Sequence, residues 1–168
     1  ILDMFRFSVR PNRAHMIDWR EWGEDAFEEA RGQDKLVVLF IAAFWCGFCQ
    51  RMDETALSND ETIALLNAFF IPIRVEESQR PDVDLRYNQD GWPTIAVLTP
   101  DGGHLFTVNY MDTDPFVDLL VKTVTQFESD KEGLMAAATY PALAAPQDGT
   151  EPPALSPELV GEIAGMVE

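Results

Sequence analysis

The chain contains two cysteines, Cys46 and Cys49, separated by two residues. Thiols at this spacing can form a disulfide with each other, and a thiolate on the first can attack a disulfide of another molecule. The second thiol, one helical turn further along, can then resolve the mixed disulfide. The pair therefore predicts thiol–disulfide exchange, in which Cys46 is the nucleophile and Cys49 is the resolving thiol.

Three other interpretations of this pair have to be weighed. Two silent core cysteines remain an alternative, because cysteine is often a small buried residue. A structural zinc site normally has four ligands, and only His15 and His104 could join the two thiols. A structural disulfide that closes so short a loop would add little stability. Redox chemistry is therefore favoured, and we expect neither a metal nor a cofactor.

The elements around the pair should place Cys46 at the start of a helix. Residues 35–44 are an unbroken apolar run rich in β-branched side chains, which is typical of a buried parallel strand. The segment 50–57 has no Gly or Pro and predicts a helix of about residues 46–57. The unpaired N–H groups and the dipole of a helix N-terminus stabilise a thiolate.

Apolar periodicity predicts four further helices and three further strands. The helices are expected at about 19–31, with Asp18 as N-cap and Gly32 as the stop, from 58–61 onward, after Pro81, and at 112–128. The strands are expected at 70–75, 92–99 and 104–108, and the last two are joined by a turn at 100–103. Pro72 suggests either an edge position for the second strand or a position at its start.

The 168 residues suggest one domain with additional segments at its ends. We predict an N-terminal extension at 1–15, a domain at 16–130, and an Ala/Pro-rich linker with a short C-terminal helix at 131–168. Few contacts between residues 138–155 and the core are expected. The C-terminal helix should begin at Ser156, because Pro157 suits the first helical position.

Composition excludes several kinds of partner. A formal net charge of −17 argues against nucleic acid and against anionic membrane surfaces. No run of about 18 apolar residues exists, so no membrane span is expected. The chain begins without a charged-then-apolar leader, which favours the cytoplasm, although a removed signal would leave the periplasm or secretion open. We expect a monomer.

Several segments resemble those of a known family. Trp45-Cys46-Gly47-Phe48-Cys49 resembles the active site of thioredoxin-like domains, and Gly91-Trp92-Pro93-Thr94 resembles their substrate loop. The segments 17–27, 74–84 and 91–102 resemble the family typified by spermatogenesis-associated protein 20, over about residues 15–110. The resemblance implies an α/β, thioredoxin-like fold with a central mixed sheet flanked by helices.

The resemblance also implies roles for residues near the cysteines. Trp45, Phe48, Trp92 and Pro93 are expected to bind substrate, with Pro93 in the cis form, although Trp45 and Phe48 could instead be packing residues. Arg80, Asp82 and Asp84 could form a polar cluster near the site, but a capping role with simple solvation is favoured. The two histidines should be non-catalytic, with His104 exposed.

Two departures from the relatives affect the expected rate. Gly47-Phe48 replaces the His-Trp pair common in the family, and Phe40 occupies the position of the buried Asp of thioredoxins. Without that carboxylate, Cys49 should resolve the mixed disulfide more slowly, unless Glu76 or Glu77 substitutes for the carboxylate. Asp53, Glu54 and the overall charge oppose a thiolate, whereas Arg51 and the helix dipole favour it.

The sequence therefore predicts a protein-disulfide oxidoreductase that acts as a reductant. Its partners would be a protein or small disulfide as substrate and a thiol donor, such as a reductase or a small thiol. The alternative is a thioredoxin-like binding or redox-sensing module with little turnover, which could be part of a larger protein.

Overall fold

A computed structural model describes residues 6–141 of the chain. Four strands form one mixed sheet: β1 (Leu36–Ala42), β2 (Phe70–Glu76), β3 (Thr94–Leu98) and β4 (His104–Val108). Their order is β2-β1-β3-β4, with β1 parallel to β2 and antiparallel to β3, and β3 antiparallel to β4. The predicted central mixed sheet is confirmed, including the adjacency of β1 and β3.

Six α-helices accompany the sheet in the described part of the chain. They are α1 (Glu24–Gln33), α2 (Gly47–Glu54), α3 (Asp60–Phe69), α4 (Pro81–Tyr87), α5 (Thr113–Ser129) and α6 (Lys131–Ala137). Short 3-10 turns occur at Ala14–Met16 and Ala56–Ser58. Between residues 6 and 141, no helix combines the length and apolar character that crossing a membrane requires.

Strand β1 is buried along its whole length because helices cover both faces of the sheet. Its side chains alternate between two cores. Leu36, Val38, Phe40 and Ala42 pack with residues of α2, α3 and α5. Val37, Leu39 and Ile41 pack with residues of α1 and α4. This two-sided burial explains the continuous apolar run of the strand that leads to the first cysteine.

Strand β2 lies at the edge of the sheet, as Pro72 suggested. Its outer side makes an isolated bridge with Arg20, whose N–H donates to the Pro72 carbonyl at 2.9 Å. The Arg74 N–H donates in turn to the Arg20 carbonyl at 3.1 Å. This bridge explains why a proline, which has no N–H, is tolerated in β2.

The predicted start and end of the first helix are wrong. Helix α1 begins at Glu24 rather than Trp19, because the bridge between Arg20 and β2 holds the preceding segment outside the helix. Trp19 and Trp22 consequently pack against different cores instead of sharing a helical face. The helix passes Gly32 and ends at Gln33, where Asp34 takes the left-handed conformation with φ 55°.

The helix after the cysteines is shorter than predicted. It ends at Glu54, and the 3-10 turn Ala56–Ser58 leads into α3. The Asn59 side chain caps α3 by accepting from the N–H groups of Glu61 and Thr62 at 3.0 and 3.3 Å. The start of α3 therefore lies within the predicted segment 58–61.

The folded domain continues past residue 130, where the prediction ended it. Helix α6 occupies 131–137, and the Asp130 side chain caps it by accepting from the Gly133 N–H at 3.1 Å. Thr139 then pairs with His104 through two backbone hydrogen bonds of 2.6 and 2.9 Å. The predicted linker is therefore wrong at its start. Residues 142–168, including the helix predicted from Ser156, lie outside the described residues.

The predicted N-terminal extension is attached to the domain where the structure describes it. The Phe7 N–H donates to the buried carboxylate of Glu54 at 2.7 Å, and the Arg13 N–H donates to the Ser58 hydroxyl at 2.7 Å. Residues 1–5 lie outside the described part. Residues 6–15 thus cover the end of α2.

Candidate active site

Cys46 lies at the N-cap position of α2, directly after the turn that follows β1. Its Sγ accepts a hydrogen bond from the Cys49 N–H at 3.2 Å, and its thiol donates to the Trp92 carbonyl oxygen at 3.4 Å. The side chain is half-buried. A sulfur that faces the free N–H groups of a helix N-terminus is well placed to carry negative charge.

Cys49 lies in the first turn of α2, and its side chain is only 3% exposed. Burial raises the pKa of its thiol to about 12, and the hydrogen bond with Cys46 also raises it. Both cysteines are free thiols. The more N-terminal cysteine is therefore the accessible one, and the second cysteine is held beneath it as a protonated thiol.

This difference predicts selective alkylation. At neutral pH, iodoacetamide should modify Cys46 roughly a hundredfold faster than Cys49, because alkylation needs an accessible thiolate. Because the Cys49 pKa is raised, its thiolate fraction should grow about tenfold for each unit of pH until it approaches that pKa. Mass spectrometry of peptides after timed labelling measures both rates. In urea-unfolded protein the two rates should converge, and equal rates in the folded protein would contradict the assignment.

The loop before β3 lies against the Cys46 thiol. The Trp92–Pro93 peptide bond is cis, and Pro93 is buried. The Asn109 side chain donates to the carbonyl oxygens of Gly91 and Pro93 at 3.3 and 3.1 Å. On the other side, the Trp92 indole N–H donates to Asp84 at 2.9 Å. The loop is therefore held by side chains that sequence reasoning did not assign to it.

Aromatic side chains surround Cys46 on the protein surface. Trp45 and Phe48 are 58% and 56% exposed, so the structure does not support core packing as their role. The Trp45 ring packs edge-on against Trp92 at 5.1 Å, and Phe48 lies 5.4 Å from the Tyr110 ring. We call this the aromatic surface; it comprises Phe44, Trp45, Phe48, Trp92 and Tyr110.

Arg74 and Asp53 form an ion pair on the inner side of α2. It lies next to Phe40, the residue that occupies the position of the buried Asp of thioredoxins. The Arg74 guanidinium donates to both oxygens of Asp53 at 2.8 and 2.7 Å and lies 4.9 Å from the centre of the Phe40 ring. Glu76 accepts from the Phe44 N–H at 2.9 Å, while Glu77 is held through its backbone. The sequence analysis treated Asp53 only as a charge that opposes a thiolate, and its spacing from Cys49 did not identify Arg74 as its partner.

The polar residues at the start of α4, Arg80, Asp82 and Asp84, make two separate sets of contacts. Arg80 and Asp82 form an exposed ion pair at the start of α4, and hydrogen bonding from Arg80 lowers the pKa of Asp82 to about 2. We favoured a capping role with simple solvation, but the Arg80 side chain makes no cap hydrogen bond and pairs with Asp82 instead. Asp84 instead binds Trp92 and the Asn88 side chain.

The histidines lie apart from this arrangement. His104 is half-buried rather than exposed as expected, because Thr139 pairs with its backbone and the tilted Tyr87 ring lies 6.4 Å from its ring. Burial lowers its pKa. Within residues 6–141, no three His, Cys, Asp or Glu side chains are grouped as a metal site would require.

A family model described as "Protein of unknown function, DUF255" (Thioredox_DsbH) matches residues 8–142. Among curated proteins, spermatogenesis-associated protein 20 of Homo sapiens is 34% identical over 93 residues, which are 51% of this chain and 12% of the relative. An uncharacterized protein of Caenorhabditis elegans is 36% identical over 93 residues, with coverage of 51% and 13%. The match thus spans about an eighth of these relatives' length.

Solved structures resemble the chain in fold. A thioredoxin from Thermus thermophilus has a TM-score of 0.58 at 22% identity, and the match covers 68% of this chain and 94% of that one. A structure titled "DsbH Oxidoreductase" also has a TM-score of 0.58, at 17% identity, with coverage of 71% and 93%. The fold is therefore thioredoxin-like, and a close cysteine pair in this fold is typical of a redox module.

Proposed function

The chain belongs to the thioredoxin-like family described as "Protein of unknown function, DUF255", and we propose that it is a thiol–disulfide oxidoreductase that acts as a reductant. One observation carries this proposal. The accessible Cys46 thiol lies at the N-cap of α2, against the Trp92 carbonyl, and directly above the buried Cys49.

In the first step, the Cys46 thiolate attacks one sulfur of a substrate disulfide. A bond forms between Cys46 and that sulfur, the substrate S–S bond breaks, and the second substrate sulfur leaves as a thiolate that takes a proton. The N–H groups at the start of α2 stabilise the attacking charge. The product of this step is a mixed disulfide on Cys46.

In the second step, Cys49 loses its proton and attacks the Cys46 sulfur. The Cys46–Cys49 disulfide forms, and the remaining substrate sulfur leaves as a thiolate and is protonated. The substrate has then gained two electrons, and the protein has lost them. An external thiol donor, such as a reductase or a small thiol, returns the enzyme to its dithiol form.

The aromatic surface and the Pro93 loop would bind the polypeptide around the substrate disulfide. An extended segment can pair with backbone groups of the loop at Trp92, in the manner of an added strand. Trp45 and Phe48 offer exposed rings to apolar side chains next to the disulfide. This arrangement suits an exposed disulfide in a protein.

The reducing direction is proposed together with a cytoplasmic setting, where thiol pools keep cysteine pairs in the dithiol form. The reduction potential of the Cys46–Cys49 pair tests it, and it should lie nearer to that of thioredoxin, about −270 mV, than to that of strong oxidants, about −120 mV.

Trapping the mixed disulfide tests the proposal. In Cys49→Ser, the intermediate on Cys46 should persist, because no resolving thiol remains. Incubation with a protein disulfide substrate followed by peptide mass spectrometry should locate the adduct on Cys46. Cys46→Ser is the matched control and should carry no adduct, since Cys49 is buried. Absence of an adduct on Cys46, together with inactivity of the wild-type protein, would overturn the enzyme assignment.

A binding module without turnover is the second candidate function. The observation that favours it is the exposed aromatic surface, where Phe44, Trp45 and Phe48 could hold a partner without any chemistry. Alkylation with and without reductant distinguishes the two candidates. A redox enzyme should pass between two free thiols and none, whereas a silent module should keep both thiols free after exposure to substrate disulfides.

A further inference from the structure

We propose that the ion pair of Arg74 with Asp53 is the positioning device for the resolving step, setting the charge around Cys49 where thioredoxins use a buried carboxylate on the strand. The inference rests on the proposed function and assigns residues to its second step. In this arrangement the acidic partner has moved from β1 to α2, and Phe40 fills the vacated strand position.

The geometry of the pair is fixed from three sides. Both guanidinium nitrogens of Arg74 bind Asp53, at 2.8 and 2.7 Å, and both side chains are partly buried. Phe40 and Arg74 are direct partners in the parallel register of β1 and β2. The guanidinium therefore covers the Phe40 ring at 4.9 Å and lies 5.6 Å from the Trp19 ring. A bidentate, stacked arginine has little freedom to turn away.

The pair faces Cys49. Asp53 follows Cys49 by four residues in the same helix, so the two side chains lie one turn apart on one face of α2. Phe40, which Arg74 covers, belongs to the same core as Cys49. Burial is the main cause of the raised pKa of the Cys49 thiol, and the Asp53 charge adds to it. For Arg74, burial lowers the pKa, but the hydrogen bonds and charge of Asp53 and, to a smaller extent, Cys49 raise it.

Within residues 6–141, few charges act on this thiol. They are those of Cys46 and Asp53 at α2 and of Arg74 in β2, which in turn interacts with Glu76. Strand β1 contributes the apolar Phe40, and Ala43, directly after β1, contributes a backbone hydrogen bond that lowers the Cys49 pKa. The buried residues from β3 and α5 are uncharged, and the Tyr110 hydroxyl hydrogen-bonds Asp112 at 2.9 Å. Arg74 is therefore the one cation among these groups.

The role of the pair follows from the charge that develops on Cys49. When Cys49 gives up its proton to solvent or to the departing thiolate, the Arg74 cation stabilises the new anion in a poorly hydrated place. While Cys49 is still a neutral thiol, Asp53 balances Arg74 and keeps the guanidinium in position. Arg74 should accelerate the resolving step, and the Asp53 charge should oppose the Cys49 thiolate.

The two steps can be timed separately with a small aromatic disulfide whose thiolate product is coloured. Attack by Cys46 releases the first coloured thiolate, and resolution by Cys49 releases the second. In Arg74→Gln the second release should slow about tenfold at neutral pH, and the midpoint of its pH profile should move upward. In Asp53→Asn the midpoint should move downward. Arg74→Lys keeps the positive charge but loses the bidentate contact, so its second release should fall between those of the wild type and Arg74→Gln.

The opposite shifts separate an electrostatic role from a structural one, because simple loss of packing would slow both variants alike. Arg80→Gln is the matched control, since Arg80 forms the same bidentate contact with Asp82 at 3.0 and 2.7 Å on α4. It should leave both releases unchanged. The inference would be overturned if the midpoint of the pH profile of the second release moved in the same direction in Arg74→Gln and Asp53→Asn, or moved in neither. The first release would be unaffected by that outcome. A wild-type protein without the first release would instead overturn the proposed function.

Discussion

Replacing Cys46 with serine should abolish disulfide reduction, lowering kcat/KM by about a thousandfold or more. The serine hydroxyl is not ionised at neutral pH, so the attacking anion is lost. Cys49 cannot replace it, because its side chain is 3% exposed and its pKa is raised to about 12. The measurement is reduction of a protein disulfide with a dithiol donor in excess, corrected for the rate with the donor alone.

The matched variant for this prediction is Cys49→Ser. It keeps the nucleophile and should show one rapid attack per molecule, followed by a stop at the mixed disulfide. The two serine variants therefore differ in the first turnover, although both fail in the steady state. Activity retained by Cys46→Ser would show that the reduction proceeds elsewhere, and the α2 N-cap would lose its assigned role.

The sequence predicts the buried central strand well, because a strand that is buried on both faces has apolar residues along its whole length. A strand covered on both faces must be apolar throughout, as β1 is, so its boundaries can be found without knowing its neighbours. The cysteine spacing and the strand before it also place the redox pair at a helix start. These features depend on short stretches of chain.

The start of α1 could not be predicted, because it is decided by a distant strand. Trp19, Trp22 and Phe27 have helical spacing, yet Arg20 exchanges backbone hydrogen bonds with Pro72 and Arg74. A long-range bridge overrides local periodicity here. The same applies to Thr139, whose pairing with His104 extends the domain into a segment whose composition suggested a linker.

The pair of Arg74 and Asp53 was missed for a related reason. Each residue has an ordinary sequence context: Asp53 lies among charged helix residues, and Arg74 interrupts an apolar strand. Only the parallel register of β1 and β2 places Arg74 against Phe40, and only the packing of α2 brings Asp53 to it. The missing strand carboxylate suggested slower resolution of the mixed disulfide, whereas the tertiary structure places the Arg74 cation over Phe40, where Asp53 holds it.

Truncation of Phe40 should cause a large loss of stability. Its side chain is 1% exposed, in the middle of β1, and packs against Trp19 with ring centres 5.9 Å apart. Phe40→Ala removes this ring from a close-packed core and leaves a cavity beneath Arg74. We expect the free energy of unfolding to fall by about 3–5 kcal/mol. Urea unfolding followed by tryptophan fluorescence measures the loss.

Phe44→Ala is the control, because it makes the same chemical change four residues further along the chain. Phe44 is 83% exposed, so its truncation should alter the free energy of unfolding by no more than about 0.5 kcal/mol. The difference between the two variants isolates burial from any intrinsic effect of replacing phenylalanine. Similar values for both would mean that the middle of β1 is not enclosed by helices on this face, and the setting proposed for Arg74 and Cys49 would fail with it.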